Sequence, residues 1–171
     1  KDSCFNEHSV VELQDGRLWM LSRGMKAALQ SFSDDGGKTW QPQTTAFPHV
    51  NSKCIFRRLQ SGNILLIRHG QDISKATPAR QEITAFLSTD EGKTWSGKLL
   101  LDERTGVSYP DIAQAPNSDI YVHYDRGRTS AAEILFARFR EADVTAGKLV
   151  SADASLKNLV KSKTGMNRGG V

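Results

Sequence analysis

One motif occurs twice in this chain. Ser33-Asp34-Asp35-Gly36-Gly37-Lys38-Thr39-Trp40 and Ser88-Thr89-Asp90-Glu91-Gly92-Lys93-Thr94-Trp95 both read Ser-x-Asp-x-Gly-x-Thr-Trp, 55 positions apart. The flanks repeat as well. Leu13-Gln14-Asp15-Gly16-Arg17-Leu18 precedes the first copy, as Leu59-Gln60-Ser61-Gly62-Asn63-Ile64 precedes the second. A third, weaker unit carries Ala115-Pro116-Asn117-Ser118-Asp119-Ile120 without the motif. Each unit orders its strands alike, as in Arg17–Arg23 then Ala27–Ser33, Asn63–His69 then Glu82–Ser88, and Asp119–Asp125 then Glu133–Arg140. Short strands with turn residues at regular spacing predict an all-β chain. A repeat of this length suits a propeller blade. The 171 residues hold about three such units, and propellers close with roughly 4–8 blades. The chain therefore reads as part of a propeller.

Composition narrows the function. Twenty-three Lys and Arg stand against 19 Asp and Glu, interspersed, for a net charge of +4. That gives no basic block for nucleic acid. No apolar run reaches the ~18–20 residues of a membrane span. Two cysteines, Cys4 and Cys54, make neither a disulfide framework nor a metal site by themselves. A first residue of Lys1, with a strand-like run already at Ser9–Leu13, points to a processed or partial sequence. Three blades are expected over about residues 5–49, 50–104 and 105–150, with 151–171 a partly loose tail. Glu133–Arg140 suits a buried strand but also reads as helix, and Ala142–Lys148 as one helical turn.

The repeated motif is a turn device. An aspartate in a tight turn accepts bonds from nearby backbone N–H groups. Gly37 and Gly92 supply positive φ, and Trp40 and Trp95 cover the turn with apolar area. Asp35 and Asp90 are thus structural rather than catalytic.

Together these features resemble the sialidase (neuraminidase) superfamily, six-bladed propellers whose blades carry such turns as "Asp boxes" or BNR repeats. The resemblance covers about residues 5–142 and implies the C-terminal half of the propeller, the remaining N-terminal half being its partner. It also implies an exo-acting retaining glycoside hydrolase that grips a substrate carboxylate with three arginines. Its nucleophile would be a tyrosine activated by a glutamate, with an aspartate as acid/base. Asn6-Glu7-His8-Ser9-Val10-Val11-Glu12-Leu13 is similar to the activating segment and places that role on Glu7. Arg23, ending Trp19-Met20-Leu21-Ser22-Arg23, corresponds to the second arginine. Arg80, opening Arg80-Gln81-Glu82-Ile83-Thr84, corresponds to the third. Val107-Ser108-Tyr109-Pro110-Asp111 resembles the nucleophile segment, with Tyr109 in that role. The first arginine and the acid/base aspartate find no match. Pro110-Asp111, Tyr124-Asp125 and Lys53 depart from the common pattern and leave the acidic sugar open.

The chemistry explains these residue types. A guanidinium binds a carboxylate through two parallel charge-assisted bonds. A carboxylate nucleophile would be repelled by the substrate's own carboxylate, whereas a neutral phenol is not, and sialidases are the tyrosine exception among glycosidases. With an unperturbed pKa of ~10 a phenol needs a base within reach. Arg57, Arg58, Arg68 and His69 are weaker candidates, one of each pair facing inward. Asp111 and Asp125 are expected to brace the nucleophile loop. No cofactor and no metal are implied. The expected partner is a sialylated or other acidic glycan, with no nucleic acid and no membrane span, and the resemblance favours a secreted or periplasmic location. Two rival readings are a non-catalytic glycan-binding propeller and a same-fold enzyme for another acidic sugar.

Overall fold

The computed structural model describes residues 7–166. It is three antiparallel sheets in series. The first holds β1 (His8–Glu12), β2 (Leu18–Arg23), β3 (Ala27–Ser33) and β4 (Thr44–Pro48). The second holds β5 (Ile55–Arg58), β6 (Ile64–His69), β7 (Gln81–Ser88) and β8 (Ser96–Thr105). The third holds β9 (Val107–Gln114), β10 (Ile120–Arg126), β11 (Glu133–Phe139), β12 (Ser155–Ser162) and β13 (Gly165–Met166). Strands follow one another in space as in sequence, and the leading strands β1, β5 and β9 lie side by side. These are three blades of a propeller, set around an open arc.

The middle blade explains the most apolar strand. Ile64, Leu65, Leu66 and Ile67 in β6 are all fully buried. Alternate side chains of a strand point to opposite faces. Ile64 and Leu66 therefore join Val11, Trp19, Leu21, Ala28 and Phe47 of the first blade. Leu65 and Ile67 join Val107, Ile112, Val122, Leu135 and Ala137 of the third. A strand buried on both faces loses polar alternation.

The three turns before the second strand of each blade share one geometry. Leu13 N–H donates to Arg17 O at 2.8 Å, Leu59 N–H to Asn63 O at 2.8 Å, and Ala115 N–H to Asp119 O at 2.9 Å. Gly16 and Gly62 adopt φ of 84° and 90°, and in the third turn Ser118 takes that place at 68°. The weak third repeat is thus the same turn, built without its glycine. Adjacent turns are also tied across blades. Gln14 N–H donates to Glu91 Oε2 at 2.9 Å and Gln60 N–H to Gln114 Oε1 at 2.8 Å.

The Asp boxes are near-identical hydrogen-bond cages. Thr39 and Thr94 donate O–H to Oδ2 of Asp35 and Asp90 at 2.6 Å and N–H to Oδ1 at 2.9 Å. Ser33 and Ser88 donate to the same Oδ1 atoms at 2.8 Å. Bonds from the threonine hydroxyl, then its N–H and the serine hydroxyl, hold both carboxyls at about 2, below the ordinary 3.8. A depressed folded pKa contributes stability above the unfolded value and loses it as pH falls through the folded one. Asp35→Asn and Asp90→Asn should therefore flatten the stability curve between about pH 4 and pH 2. Urea titrations across that range check this; an acid limb as steep as wild type counts against it.

One expectation changes. Residues after 150, read as a tail, continue the third blade: β12 pairs along β11. Leu156 packs on the core, but most of β12 is exposed, and its register against β11 shifts twice, once beside Lys157, which adopts φ of 58°. An outer strand with little buried and a broken alternation carries no period-2 signal. The end of the tail, 167–171, lies outside the described residues, as does Cys4. Glu133–Phe139 is strand, and the helical turn is α1 (Glu141–Ala146), closed by Gly147 at φ 68°. Val144 of α1 seats in the core between the second and third blades.

Candidate functional site

Four side chains named from the sequence converge where the blades meet. Glu7 immediately precedes β1, Arg23 ends β2, Arg80 immediately precedes β7, and Tyr109 lies near the start of β9. Arg23 Nη1 donates to Glu7 Oε1 at 2.7 Å and to the Tyr109 hydroxyl at 3.3 Å. One guanidinium nitrogen thus joins the carboxylate and the phenol, although Arg23 and Tyr109 are 86 positions apart. The Arg80 guanidinium carbon lies 5.6 Å from the Tyr109 ring centroid.

Local backbone explains the aim of Glu7 and Tyr109. Glu7 and Tyr109 both adopt φ of 56°, a left-handed conformation uncommon away from glycine. Tyr109 also sits in a β-bulge. Ser108 pairs with Asp125 and Asp111 with His123, so Tyr109 and Pro110 together face Tyr124. A bulge re-aims a side chain, and here it turns the phenol toward Arg23. Strained backbone of this kind gathers at functional sites.

Electrostatics favour an ionised Glu7 carboxylate. Burial pushes the Glu7 carboxyl up, but the Tyr109 phenol and the Arg23 and Arg80 guanidinium groups outweigh it and leave the group below the usual carboxylate range. The Glu7 side chain is 17% exposed and that of Arg23 is 14% exposed. Glu7 Oε2 is buried without a hydrogen-bond partner among the described residues, an open acceptor beside the phenol.

The weaker candidates are committed elsewhere. Arg58 binds Glu91 at 2.6 Å and the carbonyls of Glu12 and Gly62. Arg57 donates to the Ile112 carbonyl on β9. It also lines a hollow of about 410 Å³ with Ser9, Phe56 and Asp111, to which Glu7, Arg23 and Tyr109 do not contribute. Arg68 and His69 are fully buried beneath the β4–β5 loop. Asp125 accepts from Ser108 at 2.6 Å and from Arg128 at 2.5 Å, and Asp111 accepts from the Ile112 N–H at 2.8 Å. Lys53 Nζ lies 3.7 Å from Asp111. Tyr124, the buried tyrosine of this blade, donates to Asp102 at 3.0 Å.

Two contributors escaped the sequence reading. Arg128 lies 4.0 Å from the Tyr109 ring centroid. Asn51 contacts both Arg23 and Arg80. The Asn51 contacts link separate blades and the Arg128 contact joins a β10–β11 loop to β9 of its own blade, so neither leaves a local pattern. Among the described residues no group of three or more His, Cys, Asp or Glu side chains is placed to hold a metal ion. No helix among them is long and apolar enough to cross a membrane.

A family model described as a BNR repeat-like domain matches residues 2–122. The chain belongs to that family. Two curated relatives, sialidases from two strains of Vibrio cholerae serotype O1, are 26% identical over 137 residues, covering 68% of this chain. The BNR repeat-like chain spans only 17% of their length. Among solved structures, a Dyadobacter fermentans protein of unknown function aligns with a TM-score of 0.56 at 17% identity, over 82% of this chain and 48% of its own. The Hadza microbial sialidase Hz136 aligns with a TM-score of 0.53 at 14% identity, over 79% of this chain and 31% of its own. The BNR repeat-like blades are therefore related to sialidases in sequence and share their fold.

Proposed function

We propose that this chain supplies the nucleophilic half of a retaining glycoside hydrolase that removes a terminal acidic sugar, sialic acid first among them. The observation that carries the reading is the Arg23 nitrogen 2.7 Å from Glu7 and 3.3 Å from the Tyr109 hydroxyl. Arg23 and Arg80 bind the substrate carboxylate as charge-assisted forks. The Tyr109 oxygen attacks the anomeric carbon and its proton passes to the open oxygen of Glu7. The bond to the leaving oxygen breaks as that oxygen takes a proton from an acid that these residues do not supply. Water then attacks the same carbon, the deprotonated form of that external acid takes the water's proton, Glu7 returns its proton to the departing tyrosine oxygen, and the sugar is released with configuration retained. Sialidase relatives support the substrate class.

The test uses a fluorogenic sialoside and a matching glucuronide. The chain by itself is expected not to turn over either, because the first arginine and the acid have no match in it. A longer protein containing it is expected to hydrolyse the sialoside and release the retained anomer first, read by proton NMR. Binding without turnover in the longer protein would favour a glycan-binding propeller instead. Release of the inverted anomer would exclude the covalent route, and preference for the glucuronide would move the substrate to a uronic acid.

A further inference from the structure

The site needs its arginines held apart at a fixed distance and roll, because a carboxylate is bound by planar forks and not by point charges. We propose that Asn51 is the positioning residue that sets this arrangement. The proposal rests on the acidic-sugar reading and concerns how that site is assembled.

Asn51 lies between β4 and β5 and reaches both arginines. Its side-chain Oδ1 accepts from Arg23 Nε at 2.6 Å. Its backbone carbonyl accepts from Arg80 Nε at 3.2 Å and Nη2 at 2.9 Å. A bond at Nε fixes the plane of a guanidinium, because Nε–H points along one edge of the fork. Both planes are therefore set by one residue, between the first blade and the second.

The loop that carries Asn51 is anchored with unusual density. The His69 ring nitrogen Nδ1 donates to the Gln81 carbonyl at 3.0 Å, so Nε2 accepts from the Ser52 hydroxyl at 3.0 Å. His49 Nε2 accepts the backbone N–H of His69 at 3.1 Å. His49, Ser52 and His69 are all buried, and burial holds His69 neutral, with its pKa lowered to about 4. Beneath them Arg68 is fully buried. It donates to the carbonyls of Pro48 at 2.9 Å, Lys75 at 2.8 Å and Asp72 at 3.0 Å, with its guanidinium 5.1 Å from the Phe47 ring centroid. A buried cation is costly to keep, and this one leaves its Nε without a partner among the described residues. Here it joins the end of β4 to the loop that leads into Arg80. His49 N–H donates to Lys26 O at 3.3 Å, which ties the same loop to the hairpin after Arg23. The cluster thus fastens Asn51 to the flank of each arginine.

The full chain labelled with 15N-arginine provides the test, its Nε–H signals assigned with Arg23→Lys and Arg80→Lys. In wild type both Nε–H groups should exchange slowly with water. Asn51→Ala should speed exchange at Arg23, which has lost its side-chain acceptor. Arg80, which rests on the backbone carbonyl, should change little. Asn51→Asp, which keeps an oxygen there, should restore the Arg23 signal. In the same samples Asn51→Ala should weaken N-acetylneuraminic acid binding about tenfold, one charge-assisted bond's worth. Unchanged exchange at Arg23 overturns the proposal, and so does altered exchange with unchanged affinity. If wild type binds no N-acetylneuraminic acid, the acidic-sugar reading fails, while the exchange data still decide whether Asn51 sets the guanidinium planes.

Discussion

Gly92→Ala is expected to cost about 2–5 kcal/mol of stability, against about 1–2 kcal/mol for Gly37→Ala at the matching position of the other Asp box. Both glycines have positive φ, 79° and 88°, so both variants carry the left-handed penalty. Only Gly92 carries a second one. A Cβ there would stand 2.2 Å from Trp19 Cζ3, whereas at Gly37 the nearest side-chain atom is Leu18 Cδ1 at 3.4 Å. Trp19 has little room to yield. Its ring meets Phe56 edge-on at 4.7 Å and stacks on Phe32 at 6.0 Å, and its Nε1–H donates to Gln30 Oε1 at 3.2 Å. Domains are stable by only ~5–15 kcal/mol, so Gly92→Ala is expected to be partly unfolded at physiological temperature even where Gly37→Ala is folded. Urea unfolding of both variants measures the difference. Equal losses would show that the tryptophan ring moves aside freely.

Tyr109→Phe is expected to lower turnover of a sialoside by ~10³-fold or more in a hydrolysing protein that contains this chain, with no comparable loss of stability. The variant keeps the ring that lies 4.0 Å from Arg128 and 5.6 Å from Arg80, so packing is retained and only the hydroxyl goes. Glu7→Gln should cost ~10²–10⁴-fold, the range for a lost general base. Tyr121→Phe is the control. Its ring stacks on Phe136 at 5.5 Å, in the third blade and apart from the Arg23 cluster. Because Glu7 is held below its ordinary 4.5, its ionised form persists at every pH above that value. The acid limb of kcat/KM due to Glu7 should therefore fall below pH 4.5. Full activity in Tyr109→Phe, with Glu7→Gln equally active, would remove the tyrosine route and leave only a binding role.

Much of the architecture was legible in the sequence because its turns demand particular residues. Ser33, Asp35, Gly37 and Thr39 each fill one place in a hydrogen-bond cage, so a second copy 55 positions on announces a second blade. The third blade was fainter because Ser118 replaces a glycine and the box itself is missing. Its strand β12 left no trace, since exposed Lys157, Asn158 and Lys161 satisfy no periodic rule. The four site residues came from likeness to a family, not from periodicity. What likeness did not supply was Asn51, which matters only once separate blades have come together, or Arg128, which a loop of the third blade brings onto the Tyr109 ring.

The bulge at Tyr109 and the left-handed turn at Glu7 put the two groups on opposite ends of a lever. Each hangs from a different blade, and the apolar wedges between blades are its fulcrum. Trimming a buried aliphatic such as Leu65 or Leu66, far from any charge, would tilt one sheet against the next and so lengthen the gap across which a proton must pass. On the proposed tyrosine route, rate would read out sheet-to-sheet angle, and core substitutions too mild to unfold the molecule should still slow it.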